Sequence, residues 1–401
     1  MLDPRKRQTN WKLPFLGLLS IGLGCMISVS PLGKGQAGKY GFAPGKLPSS
    51  VQSALKQAEL NPDDASYTLT AAEMLVDQGR LQGNSEAVAA ADAMLVSMPG
   101  SADMVRALRL RAIAQQYLHN FNQALDLLDL TLAKNNHDAT ALLTRANILL
   151  VQGKLSEARE TCRTLARAMR YDLFILCDTT ANAIGEQAAV VANRLSAFVD
   201  SGRMDPALVG YAYSVLGEIA MFQGDGIQAQ SHLEKAQKAD PENLRIRMLH
   251  ADSLLNLNKP EAALAALDVS ANTDSLLVRR AIAYKQAGKT EELAQASKEI
   301  DSRIQGNLRA EHTGHAREEA LYYLEVINSP SKALERANIN WKFQREFEDA
   351  RLLIDAATAA NSTADAKKVQ TWMRNENVTI PGLVSRLQKA GLTAEWADKL
   401  K

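Results

Sequence analysis

Neither sign of charge is in excess in this chain, with 46 Lys and Arg against 45 Asp and Glu. No field draws a polyanion, so nucleic acid is not expected as a partner. Catalytic signatures are missing as well. The body of the chain has no Gly-x-Ser-x-Gly elbow, no paired-cysteine zinc pattern and no dinucleotide loop. Near the start, Gly33, Gly38 and Lys39 copy the spacing of a phosphate-binding loop, but Tyr40 stands where a Ser or Thr would touch magnesium. The expectation is a non-enzyme with no cofactor. Glycine and proline are sparse, at 23 and 12 of 401 residues, while hydrophobic residues make up 46%. Such a composition, led by Ala, Leu, Gln and Glu, favours helices with an ample core.

What is present is a beat of thirty-four residues. Tyr213, Leu216 and Gly217 mark one face of a first helix, Gly224 a turn, and Ala229, Leu233 and Ala236 a second helix that Pro241 stops. Ala124 and Ala158 hold the same phase in second helices, as do Ala112 and Ala146 in first helices. Ala251, Ala263, Ala281, Tyr284 and Gly288 continue it forward, and Ala72, Leu75 and Gly79 open a unit near the start. A degenerate unit falls between about residues 172 and 200, and Pro330, Leu334, Trp341, Phe347 and Ala350 suggest a last one.

This pattern resembles the tetratricopeptide repeat, with Tyr for its Trp, Ala220 for its Tyr and Leu for its Phe. The resemblance implies an all-α, right-handed superhelical solenoid of about eight helical hairpins over residues 51–360. Short helices over 361–401 then serve as a C-terminal cap.

The first forty residues read differently. Arg5, Lys6, Arg7 and Lys12 precede an apolar run from Leu13 to Val29, followed by Pro31 and the small-x-small site Gly35-Gln36-Ala37. Residues 1–37 are expected to be a signal peptide cut after Ala37, or an uncut membrane anchor, with 38–50 a flexible lead-in. Basic residues in front keep that end inside, so both readings put the repeats outside the cytoplasm, in the periplasm or tethered to the inner membrane facing it. Leu23-Gly24-Cys25 also resembles the end of a lipoprotein signal, although Gly22 departs from it.

In the family the first helices line a concave face. The positions projected onto it here are Arg106, Arg109, Gln116, Leu143, Asn147, Tyr211, Glu218, Met221, Arg245 and Met248, a mixture suited to an extended or helical protein segment. Ile113 and Leu143 stand where a clamp for chaperone tails needs polar groups, so that clamp is not expected. Cys162 and Cys177 fall on adjacent antiparallel helices and are read either as a disulfide or as two buried thiols. His312 and His315, with Glu311, Glu318 and Glu319, offer a weak metal site interrupted by Gly314. The reading is a non-catalytic scaffold for protein partners in envelope assembly or secretion. The alternatives are a lipoprotein component of a polysaccharide or pilus exporter and a metal-dependent enzyme using His312 and His315.

Overall fold

The computed structural model describes residues 47–398 apart from 83, 99–102, 169, 186, 270 and 310–312. The expected signal or anchor, Cys25, most of the lead-in and His312 lie outside the described residues. The described residues form an all-α solenoid. A first helix, α1 (Ser49–Leu60), buries Val51, Leu55 and Ala58 and packs against α2. Its start falls just inside the expected lead-in. Hairpins follow in order: α2 (Ala65–Gln82) with α3 (Ser85–Val96), α4 (Met104–Tyr117) with α5 (Phe121–Lys134), and α6 (Ala139–Val151) with α7 (Leu155–Leu165). Next come α8 (Tyr171–Asn182) with α9 (Ala188–Asp200), α10 (Pro206–Gln223) with α11 (Gly226–Ala239), α12 (Leu244–Asn256) with α13 (Pro260–Ala266), and α14 (Asp274–Ala287) with α15 (Thr290–Arg309). The last elements are α16 (Ala316–Leu321), α17 (Pro330–Trp341), α18 (Phe347–Ala359), α19 (Thr363–Asn375), α20 (Pro381–Lys389) and α21 (Glu395–Asp398).

Even-numbered helices from α2 to α18 each touch the next even-numbered one, whereas second helices pack on the first helix of the following unit. The even row is therefore the inner face. Close approach within and between hairpins rests on small residues: Ala112, Ala124, Ala146, Ala158, Ala229, Ala251, Ala263 and Ala281 are all fully buried. Gly217 shows how tight this is, because a Cβ there would lie 2.6 Å from Leu233 Cγ across the hairpin. At the turns, a left-handed residue ends the first helix: His119, Gly153, Gly224, Asn258 and Gly288 all have positive φ. The next residue's N–H then reaches back to the carbonyl five positions earlier, as from Asn120 to Gln115 and from Asp225 to Ala220, both at 2.9 Å. This satisfies carbonyls the helix end leaves open, and glycine or asparagine adopts that φ at least cost.

At three points the structure corrects the sequence expectation or decides what it left open. The helix starting at Pro330 is the outer member of a unit whose inner helix is α16, and α18 opens another unit. Helix α16 escaped notice because it is short and runs into a π-helical turn, Tyr322–Val326, whose wider winding shifts the register. Second, Cys162 of α7 and Cys177 of α8 are joined by a disulfide with Cα atoms 5.5 Å apart.

Third, the C-terminal helices do more than cover the last apolar face. They fold back onto the middle of the chain. Arg345 N–H donates to Val151 O at 2.7 Å, Trp372 Nε1–H to Gly153 O at 2.9 Å and Thr379 N–H to Ile184 O at 3.3 Å. Glu376 accepts from Ser156 N–H at 3.1 Å, and Gln344 meets the His119 ring at 2.8 Å. Phe222 at the end of α10 meets Phe347 at the start of α18 with ring centroids 4.2 Å apart. Leu155 belongs to the same buried cluster as Trp372 and Val369. The solenoid is thereby closed on itself.

Gly153 sits at the centre of this contact, with φ +71° and a virtual Cβ 2.6 Å from Trp372 Nε1 and 2.7 Å from Arg345 Cβ. Gly224 shares the positive φ but has nothing nearby. Alanine at either site meets the same backbone strain, about 1 kcal/mol, but only Gly153→Ala also collides with the closure. Urea unfolding is therefore expected to show Gly153→Ala less stable than Gly224→Ala by about 2 kcal/mol. Equal losses would mean that the closure adds nothing.

Candidate functional site

A partly open cavity of about 210 Å³ lies between the inner helices α8 to α18 and the Arg345 loop. Its walls are apolar, from Val215, Ile219, Leu249, Leu255, Ile282 and Phe347 among others, and five arginines and five carboxylates also reach it. The charges are arranged as a ladder between neighbouring inner helices. Arg245 of α12 donates to Glu218 of α10 at 2.7 Å, and Arg279 of α14 holds Asp252 of α12 with two bonds of 2.8 Å. Further along, Arg317 of α16 bonds both Asp349 oxygens at 2.6 Å and Glu346 at 2.7 Å. Within α18 itself, Arg351 bonds Glu348 at 2.8 Å and Asp355 at 3.2 Å.

Burial sets the protonation tendencies. It pushes the Glu218 and Asp252 carboxyls above their ordinary range, against the pull of Arg245 and Arg279. Burial acts on Glu348 in the same direction, but Arg351 outweighs it and holds that carboxyl below its usual value. Low-dielectric surroundings make each lost partner costly, so the ladder fixes how far adjacent inner helices rotate.

The structure separates the projected groove residues. Glu218 and Arg245 line the cavity, and Met221 is half-buried at the end of α10. Arg106 pairs with Glu73 and keeps 39% of its side chain exposed, and Arg109 donates to Asp138 at 2.5 Å. Leu143, Tyr211 and Met248 are buried, at 1%, 7% and 4% exposure. Leu143 and Tyr211 pack in one apolar cluster with Leu176, and Met248 in another with Leu277. Gln116 and Asn147 are also buried. The projection assumed an open superhelix, in which every inner position not used within its hairpin faces solvent.

Sequence reasoning missed Asp252's role beside Arg279, and also Arg317, Arg345, Glu346 and Arg351. A signal existed: Arg245 and Arg279 are thirty-four residues apart, as are Glu218 and Asp252, and as are Arg317 and Arg351. Charged residues recurring at the repeat length mark inner-helix positions that meet across units.

His315, the described member of the weak metal pair, is 1% exposed with Nδ1 2.7 Å from Asp274 Oδ2, out of line for a hydrogen bond but close enough for an ion pair. Glu318 accepts from Ser275 and Glu319 from Asn307. Burial would lower the His315 pKa, but Asp274, with Glu318 and Glu319 behind it, outweighs that and raises it above 6.5. Its contribution to stability is then fully present below pH 6.5 and lost as pH rises through the higher folded value. His315→Gln is expected to flatten the fall in Tm on that alkaline side, and an unchanged slope would place the titration elsewhere.

These are the features of a helical-hairpin solenoid with a closed interior. Residues 109–172 and 215–275 match the model of the family described as Tetratricopeptide repeat. Among solved structures, it is similar to a tetratricopeptide repeat protein from Parabacteroides merdae, with 14% identity, 77% of this chain and 99% of that chain covered, and a TM-score of 0.36. It is also similar to yeast Tom70, with 12% identity, coverage of 89% and 85%, and a TM-score of 0.37. The P58(IPK) TPR domain aligns at 16% identity over 86% and 98% of the two chains, with a TM-score of 0.23. No curated protein matches.

The ladder makes a further expectation. Arg279→Leu leaves Asp252, itself 23% exposed, without its main partner and is expected to cost about 2 kcal/mol. Asp252→Leu combined with Arg279→Leu should recover most of that loss in urea unfolding. Additive losses in the double variant would show that the pair is not coupled.

Proposed function

We propose that the protein is a non-catalytic scaffold that binds protein partners outside the cytoplasm, in cell-envelope assembly or secretion. Tetratricopeptide-repeat proteins generally act as protein-protein interaction scaffolds, and the repeats support that part of the reading. The observation that carries the compartment is the disulfide between Cys162 and Cys177, because such bonds persist in oxidising surroundings. The basic, then apolar, start of the sequence agrees with export. No described helix is long and apolar enough to cross a membrane, so a tether would reside in the N-terminal segment. The partner lies along the inner face of α2 and α4, where Arg106 and Arg109 keep 39% and 22% of their side chains exposed, and extends toward Met221.

Two measurements test this reading. Mass spectrometry of protein recovered from the cell envelope under non-reducing conditions should find Cys162 and Cys177 bridged, and two free thiols would remove the argument for export. The bridge closes a loop of 15 residues, so its reduction is expected to lower stability by about 3 kcal/mol. Affinity capture through a C-terminal tag should then recover a defined set of envelope proteins, reduced about tenfold by Arg106→Ala with Arg109→Ala at unchanged helicity. Undiminished capture would move the partner off the concave face.

A further inference from the structure

The joint that closes the solenoid lies across the track proposed for the partner. Inner helices touch in the order α4, α6, α8, α10, so a segment running from Arg106 and Arg109 to Met221, in the last turn of α10, has to cross α6 and α8. The ends of all four helices are occupied. At the end of α4 the His119 ring meets Gln344. After α6, Val151 O accepts from Arg345 N–H and Gly153 O from the Trp372 indole, and after α8, Ile184 O accepts from Thr379 N–H. At the end of α10, Phe222 meets Phe347. One stretch of chain, residues 344–379, thus touches four consecutive inner-helix ends.

Much of this joint is polar, and hydrogen bonds of that kind exchange for bonds to water at small net cost. Apolar contact adds Phe222 against Phe347 and Leu155 beside Trp372. Burial works in the other direction. His119 Nε2 and Gln152 Oε1, on the α4 and α6 turns, and Arg245 Nε, in the cavity wall, are buried without a hydrogen-bond partner among the described residues. Such groups carry a desolvation cost that hydration returns. Burial also raises the Glu218 carboxyl against the pull of Arg245, and Glu346 and Glu348, brought up by the closing segment, add like charge to it. Glu348 does the same to Asp252, whereas Glu346 favours the charged Arg245. Separation at the joint rehydrates these groups and leaves each hairpin packed on its neighbours.

We infer that the segment from Gln344 through α20 is an autoinhibitory cover, which opens as a unit from the ends of α4, α6, α8 and α10 while the hairpins stay folded, and that the protein partner occupies the stretch it uncovers. The inference rests on the scaffold reading and gives that site its regulation. A partner that binds only the open form draws the population toward it, and its apparent affinity rises in proportion to the open fraction.

Amide hydrogen exchange followed at single residues of the full chain tests the opening without any partner. The N–H groups of Arg345 and Thr379 donate across the joint, and they are expected to exchange about tenfold or more faster than those of Leu216 and Ala220 within α10. Trp372→Phe keeps an aromatic ring but removes the bond to Gly153, and should speed exchange at Arg345 and Thr379 about fivefold with α10 unchanged. Glu376→Ala, which removes the bonds to Ser156 at the exposed rim, should act in the same direction. Capture from envelope extract through the C-terminal tag tests the occlusion. Each variant should recover about fivefold more of the proteins held by the wild-type chain, and adding Arg106→Ala with Arg109→Ala should cancel the gain. Exchange at Arg345 and Thr379 as slow as in α10, no acceleration in either variant, or unchanged capture by a variant that does exchange faster would each overturn the inference and leave the scaffold reading standing. Capture of nothing by any of these chains would remove the scaffold reading, and this regulation with it.

Discussion

The architecture turns on one close approach, that of Trp372 and Arg345 to the backbone at Gly153. A repeat array held only by neighbour contacts is open, and its inner face is solvent along its whole length. Here the indole N–H of Trp372 and the main-chain N–H of Arg345 are satisfied by carbonyls of a turn some two hundred residues earlier. A side chain at position 153 would keep them apart. The cavity, the burial of its charges and the exclusion of much of the inner face from solvent all follow from that contact.

Closure changes what the inner charges do. On an open concave face, pairs such as Arg245 with Glu218 would sit in high dielectric and contribute little. Enclosed, they carry a desolvation cost that only good geometry offsets, and the two-pronged bond of Arg279 to Asp252 meets that demand. Tyr211 and Met248 are buried in apolar clusters, Tyr211 among residues of α6 to α10, and so pack as core. On the first inner helices, Arg106 retains exposure.

Much of the hairpin stack was legible in the sequence. The alanines at thirty-four-residue spacing are fully buried where first and second helices meet, because any larger side chain would part the backbones. The degenerate unit near residues 172–200 appears as α8 and α9 despite its weak pattern, and the tail appears as short helices close to the predicted bounds. Less legible was α16, whose π-helical turn breaks the period by which its neighbours were found. The surroundings of the inner-face residues were less legible for a related reason: periodicity says which side of a helix faces inward, and it cannot say what lies opposite.

What the sequence by itself determined is local and recurrent: helices where apolar residues repeat, turns where glycine or asparagine takes positive φ, and close packing where alanine recurs. Each of these is decided within one or two repeat lengths, so a linear pattern records it. The tertiary structure alone decided that α18 to α20 return to Val151, Gly153 and Ile184 and that a cavity exists at all. Those contacts join residues about two hundred positions apart, with no period between them. They depend on the small turn and rise added by every hairpin, a sum over the whole stack that no single segment encodes.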